Sequence, residues 1–493
     1  MMGESKVFGL PKDVLLIRDI LLYQNRQTRP ISSQKITEDL NKVTIQTLLK
    51  ILKELAEQVD SCYDYEELRL EINRHYGVYL VRNGVNFNRI FEKMLSETII
   101  YHIFQQLILY RTFSAEKFCQ EHNISLSTSR RNITKMNQFF DTYQVFLKIG
   151  KNVSITGKES QIRFLFFSFL YITHRRISHI LWINSGEYLA LAKRVVFACH
   201  SEEPINTEVI ALWLFINLQA IKKNHPLENE LAIENFDLVL PASALSPKDW
   251  NYVLTVLFML SIVAIEPRWD FERLYETYEA ETTRFSIHLF EKHFRLLTVP
   301  EKQRMAKRMY RHYIAKHLLI EPLFFASIDQ QPIYTQHPLL NKKFKQLWQE
   351  WATNVPEFSS EAFKRHCFHM CYHHADADTL FPTIHLTIQS SLPKETVKQI
   401  QLQNRNHLKN SATIVFEQEK TDILLLTEEH ATGIQINPTL SIKDLEYIRQ
   451  KILDRIHQQS ILETVHKSNR TKHSHYLGGG LFKRLTTQSL FVD

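Results

Sequence analysis

Between Phe113 and Phe140 (FSAEKFCQEHNISLSTSRRNITKMNQFF) the apolar positions fall at helical spacing in two runs, broken at Asn123. Ser114 is placed to cap the first helix, with Phe118 turned inward. Asn123, tolerant of left-handed backbone, marks a turn beside a buried Ile124. Ser125 is placed to cap a second helix whose inner stripe is Ser129, Ile133, Met136 and Phe140. Ser127, Thr128, Arg130, Arg131, Thr134 and Lys135 are left outward, a face of hydroxyls and cations. In a helix-turn-helix such a face enters the DNA major groove, where arginine pairs with guanine edges and hydroxyls and lysines hold phosphates. An αα-hairpin with a solvated charged face would carry the same pattern, so the rest of the chain has to decide.

The pattern occurs one unit earlier. Residues 11–25 read as an amphipathic helix with Pro11 near its start. Ser32 or Ser33 then caps a short helix carrying Ile36 and Leu40, and Val43 plugs a turn. Thr44 caps a longer helix facing inward through Leu48, Leu52 and Leu55. Residues 68–82 alternate around Gly77 as a β-hairpin, and Val145–Thr156 alternate again around a Gly150–Asn152 turn. Helix, helix-turn-helix, hairpin therefore occurs twice, which is the order of a winged helix and favours DNA over the bland hairpin. Charge separates the two copies. Arg111 to Arg163 carries nine Lys and Arg against four Asp and Glu, and Lys148 and Lys151 lie on its wing, where phosphates would pass. In the first copy Lys50 and Lys53 sit among acids such as Glu54 and Glu57. Thr44, Gln46, Lys50 and Lys53 are thus candidates for secondary DNA contact, with docking on protein the open alternative.

From about 160 to 378 the periodicity is helical throughout. Helices are predicted near 159–182, 186–199, 206–223, 246–264 and 270–297, then near 300–320, 339–354 and 358–375, with most prolines in the gaps. Two helical bundles are the economical packing. At Thr383 strands return: 383–389, a helix over 393–408, strands at ATIVFEQ and DILLLTE, a fourth around 430–438 and a helix over 441–459. This reads as a small α/β domain with a partly parallel sheet. The tail from 467 is polar and then Gly-rich.

Composition adds little. The 493 residues, 44% hydrophobic and 23% charged, suit several globular domains, and a formal charge of +7 permits a polyanion without demanding one. Five scattered cysteines (Cys62, Cys119, Cys199, Cys367, Cys371) suit a reducing compartment. With no secretory leader pattern and no apolar run able to span a bilayer, a cytoplasmic protein without membrane association is expected. No phosphate-binding loop, dinucleotide fingerprint, nucleophile elbow or zincin motif occurs, and no enzyme activity or cofactor is expected. The run 366–378 (HCFHMCYHHADAD) puts Cys367, Cys371 and His374 on one helical face, near His366, His369, His373, Asp376 and Asp378. One helix rarely supplies a tetrahedral site and inward cysteines are usually core, so no metal is assigned. The acid pair Glu428–Glu429 reads as solvated surface.

In this domain order, and above all in SLSTSRRNITKMN with its following wing, the chain resembles the Mga/AtxA-like virulence and global transcriptional regulators of Gram-positive bacteria. The resemblance implies a multidomain, mainly α protein: two N-terminal winged helix-turn-helix domains, two all-α helical bundles and a C-terminal small α/β (IIB-like) domain. The boundaries expected are 1–88 and 89–160 for the winged helices, the second being the main DNA-binding domain. Regulatory bundles like those phosphorylated by the sugar phosphotransferase system would occupy 161–284 and 285–380. The IIB-like domain would take 381–466 and a flexible tail 467–493. It further implies double-stranded DNA as partner, a homodimer or higher oligomer, and a phosphocarrier protein acting on histidine; His200, His312 and His374 are the candidates. The IIB fold carries a nucleophilic cysteine after its first strand. Here Ser390, Ser391 and Leu392 stand instead, so the architecture would be kept and phosphoryl transfer lost. The reading is a DNA-binding regulator, often an activator, following carbohydrate supply. The alternative, an RNA-binding antiterminator with similar regulatory domains, would begin with a β-rich domain rather than this helical N-terminus.

Overall fold

The computed structural model describes residues 10–41, 43–198, 207–227, 245–261, 278–319, 338–375, 382–408, 412–416, 421–428 and 433–456. The chain divides into two compact units. One comprises Met1–Phe285, Lys302–Gln331 and Glu361–Phe363; the other comprises Ser286–Glu301, Pro332–Ser360 and Lys364–Asp493. The described residues are mainly helical, with three small sheets.

The first unit opens with α1 (Lys12–Gln24), α2 (Ser33–Leu40) and α3 (Ile45–Cys62), then the hairpin β1 (Leu68–Asn73) and β2 (Gly77–Arg82). Ser32 caps α2 and Thr44 caps α3, each accepting the backbone N–H three residues on. Between α1 and α2 Ile31 pairs with Val78 of β2, a single bridge that ties the entry of the helix pair to the wing. Gly77, at φ +97°, is required there: a side chain would strike the Ile31 backbone.

The second copy enlarges that bridge into a strand. After α4 (Asn88–Ser96) and α5 (Ile99–Tyr110) come β3 (Thr112–Ser114), α6 (Ala115–Glu121), α7 (Leu126–Phe140), β4 (Phe146–Ile149) and β5 (Asn152–Thr156). The strand order is β3-β5-β4, with both pairings antiparallel. The sequence pattern hid β3, because three residues are too few to show alternation.

The bundle begins with α8 (Glu159–His174). It ends earlier than its apolar run predicts because Arg175 adopts φ +63° and a 3-10 turn follows at Ile177–His179. Then come α9 (Ser185–Ala198), α10 (Thr207–Lys222) and α11 (Pro247–Met259), the last with proline in its first turn and Ser246 as cap. Almost every residue of α8 is buried, polar ones included. Arg163 is 0% exposed. It donates to Glu159 Oε1 (3.0 Å), Asn217 Oδ1 (3.1 Å), Asp249 Oδ1 (2.8 Å) and the His225 carbonyl (2.8 Å). Glu159 Oε1 also accepts from Arg111, the left-handed residue that ends α5. A second polar tie joins α4 to the end of α8. Glu92 meets His174 Nδ1 at 2.7 Å and His179 Nδ1 at 3.1 Å, while His174 Nε2 meets the Tyr101 hydroxyl at 2.8 Å.

Further along the chain lie α12 (Tyr278–His293), α13 (Val299–Leu318), α14 (Pro338–Asn354) and α15 (Glu361–His374). In the second unit Phe344 and Phe368 pack edge-to-face, and the buried Trp351 donates its indole N–H to the Phe358 carbonyl. The terminal sheet comprises β6 (Thr383–Gln389), β7 (Thr413–Phe416), β8 (Ile423–Leu426) and β9 (Ile434–Gln435), in the order β7-β6-β8-β9. Every pairing in it is parallel, beyond the partly parallel sheet expected from sequence. Helix α16 (Lys394–Leu408) follows β6, and α17 (residues 442–456) follows β9. Ile384, Leu386, Ile400, Leu425, Ile448 and Ile452 form the centre of its core. No helix among the described residues is long and apolar enough to cross a membrane.

The Glu92 contacts set a pH signature. Burial raises the Glu92 carboxyl, but hydrogen bonds and charge from His174 and His179 outweigh it and hold the group below its ordinary value of 4.5. A lowered carboxylate contributes stability that is complete above pH 4.5 and lost as pH falls through the folded value. Thermal melts of Glu92→Gln should therefore show a deficit of about 1 kcal/mol near neutrality. That deficit should shrink as the pH is taken below 4.5; one constant from pH 6 to pH 3 would exclude this role.

Candidate nucleic-acid interface

The second helix pair is built as its sequence dictates. Ser114 accepts the Lys117 N–H at 3.3 Å and starts α6; Asn123, at φ +51°, makes the turn. Ser125 accepts the Thr128 N–H at 3.1 Å and starts α7, its hydroxyl also touching those of Ser127 (2.7 Å) and Thr128 (3.0 Å). Ser129, Ile133, Met136 and Phe140 are all buried, the inner stripe that periodicity predicts. Ile124 is only half-buried, because the turn lies at the edge of the core.

The opposite face is open. Ser127, Arg130, Arg131, Thr134 and Lys135 are exposed and Thr128 is half-exposed. Lys148 is exposed on β4, and exposed Lys151 sits at the wing tip between β4 and β5. Among the described residues no carboxylate pairs with Arg130, Arg131, Lys135, Lys148 or Lys151. Five cations without acidic partners on a helix and its adjoining hairpin form a surface whose charge is left for an outside polyanion.

A residue outside the candidate set fixes the two halves of this surface to each other. The Asn137 side chain, half-buried on α7, donates to the Leu147 carbonyl at 2.9 Å and accepts the Leu147 N–H at 2.8 Å. One amide thus completes the backbone pairing of β4 and holds the wing at a set distance from the recognition helix. Nothing in the sequence marks it, since an asparagine in a polar stretch is ordinary.

The first copy differs in kind. Thr44 is spent as the cap of α3, and Gln46 and Lys53 are exposed. Lys50 lies 3.7 Å from Glu54 one turn on. Ile45 and Leu49 stand exposed on the same helix. This face is partly neutralised and partly apolar, less suited to phosphates than α7.

The remaining candidates are dispersed. His200 lies outside the described residues. His312 is 3% and His374 6% exposed, stacked edge-on against Phe363 and Phe290 respectively. Neither offers the accessible imidazole that a donor protein needs. Cys367 and Cys371 are buried, and burial pushes both thiols well up. Among the described residues no three His, Cys, Asp or Glu side chains converge to hold a metal ion; Asp376 and Asp378 lie outside them. After β8, Glu428 is exposed, the solvated surface its sequence suggests, and it is tied to the loop that follows β6. Its carboxylate accepts the Ser391 N–H (2.7 Å), the Ser391 hydroxyl (2.6 Å) and the Thr427 hydroxyl (2.9 Å), bonds that hold it below the usual carboxylate range.

Asn137→Ala should leave the Leu147 N–H and carbonyl unpaired, destabilising the wing by about 1–3 kcal/mol. Amide exchange at Leu147 should then accelerate at least several-fold while α8 stays protected. Asn137→Asp, which keeps the acceptor and loses the donor, should fall between. Unchanged exchange in the alanine variant would remove the clamp.

No curated protein matches the chain. Residues 83–170 match the family model of the Mga helix-turn-helix domain, a stretch running from the end of the first wing through the second helix pair and its wing into α8. Over that segment the chain is similar to the Mga helix-turn-helix domain.

Proposed function

We propose that the chain is a sequence-specific transcription regulator that reads duplex DNA with α7, holds phosphates with its second wing, and works as a homodimer or larger assembly. The observation that carries this reading is the face of exposed cations on α7 and the adjoining hairpin, unneutralised by any acid among the described residues. Arg131 lies one turn beyond Ser127, at the middle of the outward stripe, and is the first choice for a guanine edge. Two tethered heads would supply the affinity that one small module lacks, by raising effective concentration. The first copy, with its apolar and paired residues, takes a secondary DNA or protein contact.

The finer part of the proposal is control by carbohydrate status through histidine phosphorylation, with transcription activated in response. Such a modification would add about −1.5 to −2 charges. At His312 or His374 it would first require the surrounding helices to open, since both rings are buried. The C-terminal domain fits a binding or assembly role better than catalysis. A fully parallel sheet of order β7-β6-β8-β9 supports the IIB-like architecture, and at the loop where phosphate would be cradled the Ser391 amide already holds the Glu428 carboxylate.

Against a duplex selected from a random pool by the full chain, Arg131→Ala should weaken binding by about 1–3 kcal/mol and relax preference at one base pair. Lys148→Ala and Lys151→Ala should instead weaken all duplexes evenly and lower the salt slope by about 0.9 each. Unchanged affinity in all three would displace the interface. For control, incubation with a phosphorylated phosphocarrier protein followed by mass spectrometry should find phosphate on His200, His312 or His374; none on these would end that assignment.

A further inference from the structure

The N-terminal tip of α7 carries one side chain that the core does not explain. Leu126, the first residue of the helix, is 42% exposed. It occupies the same stripe as Ser129 and Ile133, three and seven residues on, but at the end of the helix, beside Cys119 and Gln120 of α6, it stays partly uncovered. It stands instead at the rim of an open groove with Ile124 and Asn123. The position is rigidly set, because the flanking hydroxyls of Ser125, Ser127 and Thr128 are hydrogen-bonded to one another around the cap. The first copy places Ile45 identically, directly after the capping Thr44, and leaves it 44% exposed. Twice, the fold presents a large aliphatic group at the tip of the second helix of the pair, where covering it would have been the stable choice.

The tip of a recognition helix is the part that enters the groove deepest and meets base edges. An aliphatic side chain can offer nothing to a phosphate. The one apolar group that the major groove displays is the C5-methyl of thymine. The cations that draw DNA to this surface, Arg130 and Arg131, lie one turn further along the same helix.

We infer that Leu126 is a specificity-determining residue that packs on the methyl group of a thymine in the operator. The inference rests on the DNA-binding reading above and adds to it a base that the operator must contain. Its position in the site follows from the helix: it is displaced toward the α7 N-terminus from the base pair read by Arg131.

The test is a uracil scan. In the duplex selected by the full chain, each thymine is replaced in turn by deoxyuridine, which deletes the methyl and keeps every Watson–Crick bond. Affinities are measured by fluorescence anisotropy. The wild-type chain should lose about 3- to 10-fold at one thymine. Leu126→Ala should bind the unmodified duplex more weakly by a similar factor and be indifferent to uracil there. Leu126→Met, still apolar and of similar volume, should keep the discrimination. A scan flat at every thymine overturns the inference, as does a methyl effect that persists in Leu126→Ala. If the wild-type chain selects no duplex, the DNA-binding reading fails first, so the two failures are distinct. Circular dichroism of the variants keeps folding separate, since an exposed leucine contributes little to the core.

Discussion

The start of the winged helix that bears the cationic surface is tied to a buried cluster of charge. Arg163, with no exposed surface, spends its guanidinium on Glu159, Asn217, Asp249 and the His225 carbonyl. Glu159 in turn holds Arg111, which closes α5 and leads directly into β3. A guanidinium buried without partners would be prohibitive, and removing one member of such a cluster costs about 3–5 kcal/mol. The cluster joins α5, α8, α10 and α11 by directional bonds, which apolar packing lacks. Through Glu159 the bundle thus contacts the residue that immediately precedes β3.

The wing is fixed by similar means on a smaller scale. Three antiparallel strands of three to five residues would be weak alone. Asn137 and the Ile155 and Val153 side of β5 bind them to the recognition helix and the core. The first copy makes the same connection with a single Ile31–Val78 bridge and a glycine pressed against it. One design thus appears at two strengths, and the stronger version bears the unpaired cations. The division of labour between the copies is consistent at the levels of backbone, packing and charge.

Much of this was legible in the residues themselves. The caps at Ser32, Thr44, Ser114 and Ser125, the left-handed Asn123 and the stripe Ser129–Ile133–Met136–Phe140 are local decisions. They are made by hydrogen bonds within four residues and by a period of 3.6, so a linear reading finds them. The outward cations follow by subtraction, and both hairpins announce themselves by alternation around Gly77 and Gly150.

What the linear reading missed is what only distant contacts can decide. Arg163 lies in a phenylalanine-rich run and looks like an interruption of core, until Asn217 and Asp249 arrive from two other helices. β3 is too short to carry a pattern and exists because β5 offers it an edge. His312 and His374 have the composition of surface histidines, yet phenylalanines from elsewhere bury them. Sequence by itself determined the helix pairs, their caps and the sign of their outer faces, because those forces act over one or two turns. The tertiary structure alone decided which charges are neutralised, which polar groups are buried and where the wing stands, because those depend on groups far apart in the chain sharing a region that excludes water.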